Sequence, residues 1–252
     1  MLFFKRILKD TKSAANTSLP MERRSLKRYA INPRFPIKAV LCYSGRINSQ
    51  SPMGPPRPGW QWQGRLLDCS ERGARIQMSP TLKVEARSLC DLRLTVEEFK
   101  LTVPCHITNI REHAEGLVFG LRQDIADEAT GKAFAQLIEV LALGSTLKLH
   151  SKPAEPVKGD YLVEHYVSDR PARLSIWRHP ADESVAAFEF QLRDNLVRAA
   201  EGHDLQYMVG VPPRTATPAQ AQEIQRLFNW VLPNLAAAVP EEVREFLQQY
   251  AT

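Results

Sequence analysis

The sequence predicts a mainly β first half, a small antiparallel barrel or sandwich of six strands with a closing helix, and then a smaller α+β half. Three observations carry this. Apolar residues recur at period two in short runs between residues 35 and 121, with turn signals between the runs and no helical pattern among them. The period then switches, because Phe134, Leu137, Ile138 and Leu141 fall at i, i+3, i+4 and i+7 on one helical face. A proline- and lysine-rich stretch, SKPAEPVKG at 151 to 159, follows and reads as a linker.

The elements follow in order. A β-prone run from Phe35 to Tyr43 opens the first half. The insert SGRINSQSPMGPPRPG after it is too rich in Pro, Gly and Ser for a regular element. WQWQGRLLD (60 to 68) and GARIQMS (73 to 79) read as strands joined by the turn DCSERG. Cys90, Leu92, Leu94 and Val96 then alternate with polar residues, and Phe99, Leu101, Val103, Cys105 and Ile107 repeat the pattern. Two such runs joined by Glu97-Glu98 argue for a hairpin with one buried face. A last strand runs from Gly116 to Leu121. In the second half YLVEHYV, ARLSIWR, VAAFEFQLR and DLQYMVG read as strands. Thr217 is a natural N-cap with Pro218 at the first position of one helix, and a second helix starts at Pro240-Glu241-Glu242. The expected division is a basic tail at 1–19, a first domain at 20–145, a linker at 146–159 and a second domain at 160–252.

Composition excludes several classes. With 44% hydrophobic and 24% charged residues the 252-residue chain has a globular balance. No apolar run approaches the roughly 18 to 20 residues that span a bilayer. The start, MLFFKRILKD, lacks a signal-peptide core and cleavage site, so a cytoplasmic protein is expected. Cys42, Cys69, Cys90 and Cys105 are widely spaced without a CxxC pair, which points to buried reduced thiols rather than a metal knuckle. HExxH, GxSxG, P-loop and GxGxxG motifs are absent, and Cys105-His106 are strand neighbours on opposite faces, so no enzyme is expected. His165 and His179, without ligand-like spacing, read as structural, and Trp60 with Trp62 as packing aromatics.

The charge is local. Residues 1–34 hold nine lysines and arginines against Asp10 and Glu22, a net +7 in a chain whose total is +5. A basic arm therefore precedes a near-neutral body, which suggests a local anionic partner. Within that arm Arg23, Arg24 and Arg28 cluster in ERRSLKR. Guanidinium forks meet phosphate oxygens, or the O6/N7 edge of guanine, two bonds at a time. Asp68, Ser70 and Gly73 add a carboxylate that can accept from guanine N1 and N2, a hydroxyl and a permissive backbone position on one turn. The matching ligand is an anionic guanine nucleotide.

Arg24-Ser-Leu-Lys-Arg28 fits an RxxxR motif and Asp68-Cys-Ser70-Glu-Arg-Gly73 a [D/N]xSxxG motif; with the order of elements, residues 20 to 145 resemble PilZ domains. The resemblance implies a six-stranded PilZ-type β-barrel that binds the bacterial second messenger cyclic di-GMP, with no further cofactor. It implies that Arg24 and Arg28 grip phosphate and guanine, and that Asp68, Ser70 and Gly73 complete the site. An arginine just before RxxxR accompanies an intercalated ligand dimer in relatives. Arg23 holds that place, which implies two ligands per protomer. The insert at 44 to 59 is longer than the family pattern, and residues 160 to 252 resemble nothing recognised, so the output is not implied. The arm has little apolar content between Lys9 and Tyr29, so ordering on ligand binding is expected, with a protein partner met through the arm or the second domain. No nucleic-acid partner is expected. Two alternatives stay open, a ligand-silent scaffold of the same fold and a basic-arm nucleic-acid binder. For MLFFKRILK, weak membrane-surface contact, docking on the protein and disorder also stay open.

Overall fold

The computed structural model describes residues 27–43, 60–80, 84–151 and 161–251. The chain divides into two compact units, Met1–Ile138 and Glu139–Thr252.

The first unit is a closed antiparallel barrel. Its strands are β1 (Tyr29–Ala30), β2 (Ile37–Tyr43), β3 (Gln61–Ser70), β4 (Gly73–Met78), β5 (Leu89–Val96), β6 (Phe99–His113) and β7 (Gly116–Gln123). The sheet order is β1-β3-β2-β5-β6-β7-β4, and a further β3–β4 pairing joins the ends of the last six. Closure removes the open edges that would otherwise invite misassociation. β3 serves two neighbours in succession. Its first half pairs with β2, its second half with β4, and the short β1 lies along its end.

The period-two residues fill the interior as the pattern requires. Leu92, Leu94, Val96, Val103, Ile107, Ile76 and Phe119 are fully buried. β6 runs past Ile107 to His113, because a bulge between Ile107 and Asn109 bends the strand and lets it continue along β7. The helix α1 (Glu128–Ser145) starts at an Asp127 cap, whose Oδ1 accepts from Thr130 N at 2.9 Å. The division between units falls inside α1, after Ile138.

The second unit is a seven-stranded antiparallel meander: β8 (Lys148–Ser151), β9 (Leu162–Val167), β10 (Ala172–Arg178), β11 (Val185–Leu192), β12 (Asn195–Ala200), β13 (Gln206–Val209) and β14 (Arg214–Thr215). β8 lies within the stretch expected to be linker, and β12 and β14 were not expected. NLVRAA and RT are too short to show a period. Helices α2 (Pro218–Val231) and α3 (Glu241–Gln248) follow. Thr217 caps α2 with a reciprocal capping box to Gln220, and Pro218 occupies the first turn. The helices cover the sheet face that bears Phe188 and Phe190. Phe228 of α2 stacks on Phe188 at 5.9 Å, and Phe246 of α3 meets the same ring edge-on at 6.2 Å.

Candidate functional site

The two-residue turn Glu71-Arg72 sets Ser70 opposite Gly73, Cys69 opposite Ala74 and Asp68 opposite Arg75. A bulge at Leu67 then shifts the alternation by one residue. Leu66 and Cys69 both face the interior, opposite Ile76 and Ala74, while Asp68 shares the outer face with Arg75. β1 pairs Tyr29 with Cys69 and Ala30 with Asp68, and Ile31 N donates to Leu67 O at 2.9 Å, so the bulged residue's carbonyl anchors the incoming chain. Arg28, immediately before β1, thereby reaches the same outer face.

The side chains meet there. Arg28 Nη1 donates to Asp68 Oδ1 at 2.8 Å, and Arg75 Nε and Nη2 engage Oδ2. The Asp68 side chain is 3% exposed, whereas those of Arg28 and Arg75 are 49% and 54% exposed. A carboxylate that buried requires partners, and it has two. The trio carries a net positive charge, and most guanidinium N–H donors remain directed away from Asp68. It suits an anion with hydrogen-bond acceptors.

Ser70 is buried and its hydroxyl donates to Gly73 O at 3.2 Å, which locks the turn. Gly73 is needed for close approach, since a Cβ there would sit 2.5 Å from Leu121 O of β7. In the structure the hydroxyl and the glycine thus serve the turn and the ladder, and Asp68 serves the arginines. Arg23 and Arg24 lie outside the described residues, as does the 44–59 insert. Arg75 is the residue that the sequence reading missed. Counting back across a two-residue turn from Ser70-Gly73 finds it.

Gly73 pairs with Arg122 on β7. A groove of about 660 Å³ opens beside the turn, lined in part by Arg72, Arg122 and Gln123. Among the described residues the Arg72 and Arg122 side chains have no partner, and both polar atoms of the Gln123 amide are buried without one. Nearby, His106 Nδ1 donates to Asp124 Oδ2 at 2.7 Å, while its neighbour Cys105 is buried on the inner face. All four cysteines are free and buried. Burial pushes the Cys90 thiol up to about 12, with carboxylates adding to the shift, and drives Cys69 and Cys105 higher still. Such thiols stay protonated near neutrality and make poor nucleophiles. No group of His, Cys, Asp and Glu suited to a metal ion occurs among the described residues.

Residues 32–142 match the family model of the PilZ domain. This stretch is a PilZ domain. The match contains Asp68, Ser70, Arg75 and Gly73 and begins after Arg28. PilZ domains form a family of cyclic di-GMP receptors, binding domains rather than enzymes. Similar solved structures include the PilZ domain of CeSA from a cellulose-synthesizing bacterium, 16% identical with a TM-score of 0.33, over 44% of this chain and 94% of that one. Another is the PilZ domain with c-di-GMP of YcgR from Escherichia coli, 10% identical with a TM-score of 0.35, over 48% of this chain and 92% of that one. No curated protein matches the chain. No helix among the described residues is long and apolar enough to cross a membrane.

Proposed function

We propose that the PilZ domain of this protein binds cyclic di-GMP through guanidinium groups seated on Asp68. Arg28 and Arg75 take a phosphate and the O6/N7 edge of a guanine, with Arg24 and Arg23 closing from the arm. Gly73 pairs with Arg122 of β7, so a ligand seated on the arginines can extend toward Arg122. Asp68 acts through the arginines it orients. Neutralising the arm's cations repositions the arm or the C-terminal domain and so passes the signal to a protein partner. The observation that supports this most is the contact of Arg28, from the arm, with the buried Asp68 of the turn. It brings one arginine of the first motif onto the face of the second.

Calorimetric titration with cyclic di-GMP tests the reading. The wild-type protein should bind in the micromolar range or tighter, about −8 kcal/mol. Arg28→Ala and Asp68→Ala should each weaken binding by about tenfold or more. Saturation at two ligands per protomer is expected from Arg23, and saturation at one removes that role. Absence of heat and of any melting shift in folded wild-type protein overturns the proposal in favour of a ligand-silent scaffold.

A further inference from the structure

The second unit carries a cavity on the sheet face opposite its helices. It measures about 530 Å³, within the range of small-ligand pockets. Its floor is Ala187 of β11 and Ala200 of β12, which are register partners. Their two methyl side chains keep the floor low, and a larger pair would make the cavity shallower. One wall is Trp177 of β10, the register partner of Ala187, and another is Tyr161, whose ring packs on His179 at 5.4 Å.

The charges along its rim are arranged unusually. Glu189 of β11 faces Arg198 of β12 in register, a placement in which opposite charges ordinarily pair. Arg198 instead donates from Nε to Gln206 Oε1 at 2.9 Å. The Glu189 carboxylate is left without a hydrogen-bond or ion-pair partner among the described residues, and so is that of Asp204, which lines the same cavity. The other titratable groups there are Tyr161 and His203, whose Nδ1 donates to Glu201 O at 2.9 Å. Two unpaired carboxylates outweigh one arginine already turned to an amide, so the cavity favours positive charge.

We propose that this cavity binds an organic cation, an ammonium or guanidinium group carried on an apolar chain. The alkyl chain covers the alanine floor, the cation lies against the face of Trp177, and Glu189 and Asp204 accept its N–H donors. A free amine and a lysine or arginine side chain of a partner peptide share this chemistry. The inference is independent of the cyclic di-GMP reading.

Calorimetry and tryptophan fluorescence on the full chain provide the test, with agmatine and with acetyl-Gly-Arg-Gly-amide as probes and butylurea as the neutral control. Saturable binding of a cationic probe is expected, weakened about tenfold or more by Glu189→Gln and weakened also by Ala200→Leu, whose side chain takes the place of the ligand's alkyl chain on the alanine floor. Any quenching should vanish in Trp177→Phe. Tighter binding of the peptide assigns a partner's side chain, and tighter binding of agmatine assigns a free amine. The proposal is overturned if neither cation binds at up to about 10 mM to protein with an intact melting transition. It is equally overturned if Glu189→Gln binds as well as wild type, or if butylurea binds as tightly as the cations.

Discussion

Asp68 and Glu189 both face an arginine across an antiparallel ladder, Asp68 opposite Arg75 and Glu189 opposite Arg198. Asp68 is paired twice, whereas Glu189 makes no hydrogen bond or salt bridge among the described residues and only raises the proton affinity of His165 through its charge. Their surroundings account for the difference. Asp68 is 2% exposed, where an ionised carboxylate without partners would be strongly unfavourable. Glu189 lies at the rim of a cavity, where water can still reach it, and Arg198 has a second register partner in Gln206 on the same face. Register brings charges within reach, and burial decides whether they must pair. In the barrel the compulsory pairing holds two arginines in place, while in the second sheet the Glu189 carboxylate makes no hydrogen bond among the described residues.

The comparison makes removal of a buried charge the most damaging change. Arg178 is the counterpart of Asp68 in the second unit, buried at 6% exposure and held by Glu164 at 3.4 Å and Glu242 at 2.9 Å. Tyr166 Oη donates to Glu164 as well, at 2.9 Å. Arg178→Ala leaves Glu164 buried without its cation and should cost about 3–5 kcal/mol in urea denaturation. Gly73→Ala comes next, at about 1–3 kcal/mol, because the new methyl meets the β7 backbone inside a closed ring. A Gly73→Ala protein that keeps its melting temperature yet loses cyclic di-GMP would show that the glycine serves the ligand instead of the ladder. Glu189→Gln should change stability least, within about 0.5 kcal/mol. A loss as large as that of Arg178→Ala would break the burial rule.

The parts of the molecule differ in how plainly the sequence announces them. The hairpin of β5 and β6 is legible because Cys90, Leu92, Leu94 and Val96 alternate with polar residues and all turn inward. Thr217-Pro218 and Phe134 to Leu141 are legible for the same local reason, a cap or a face within a few residues. The Asp68, Ser70 and Gly73 turn is legible as a motif, but the bulge at Leu67 is not. Strict alternation would put Leu66 and Asp68 on one face, and only the extra residue parts them. Arg75 lies outside the motif, on the facing strand across the turn, and only the register of β3 with β4 brings it to Asp68. β8, β12 and β14 owe their existence to neighbouring strands, and nothing in four residues of KLHS or six of NLVRAA anticipates a sheet.

We propose that Asp68 acts by seating guanidinium groups, and a double-mutant cycle in cyclic di-GMP affinity is the decisive test. Asp68→Ala, Arg75→Ala and the double variant would be titrated beside the wild type. If the carboxylate acts through the arginine, the double variant should bind about as weakly as the weaker single variant, with a coupling of about 1 kcal/mol or more. Losses that simply add would contradict the claim, and would mean that Asp68 and Arg75 meet the ligand independently.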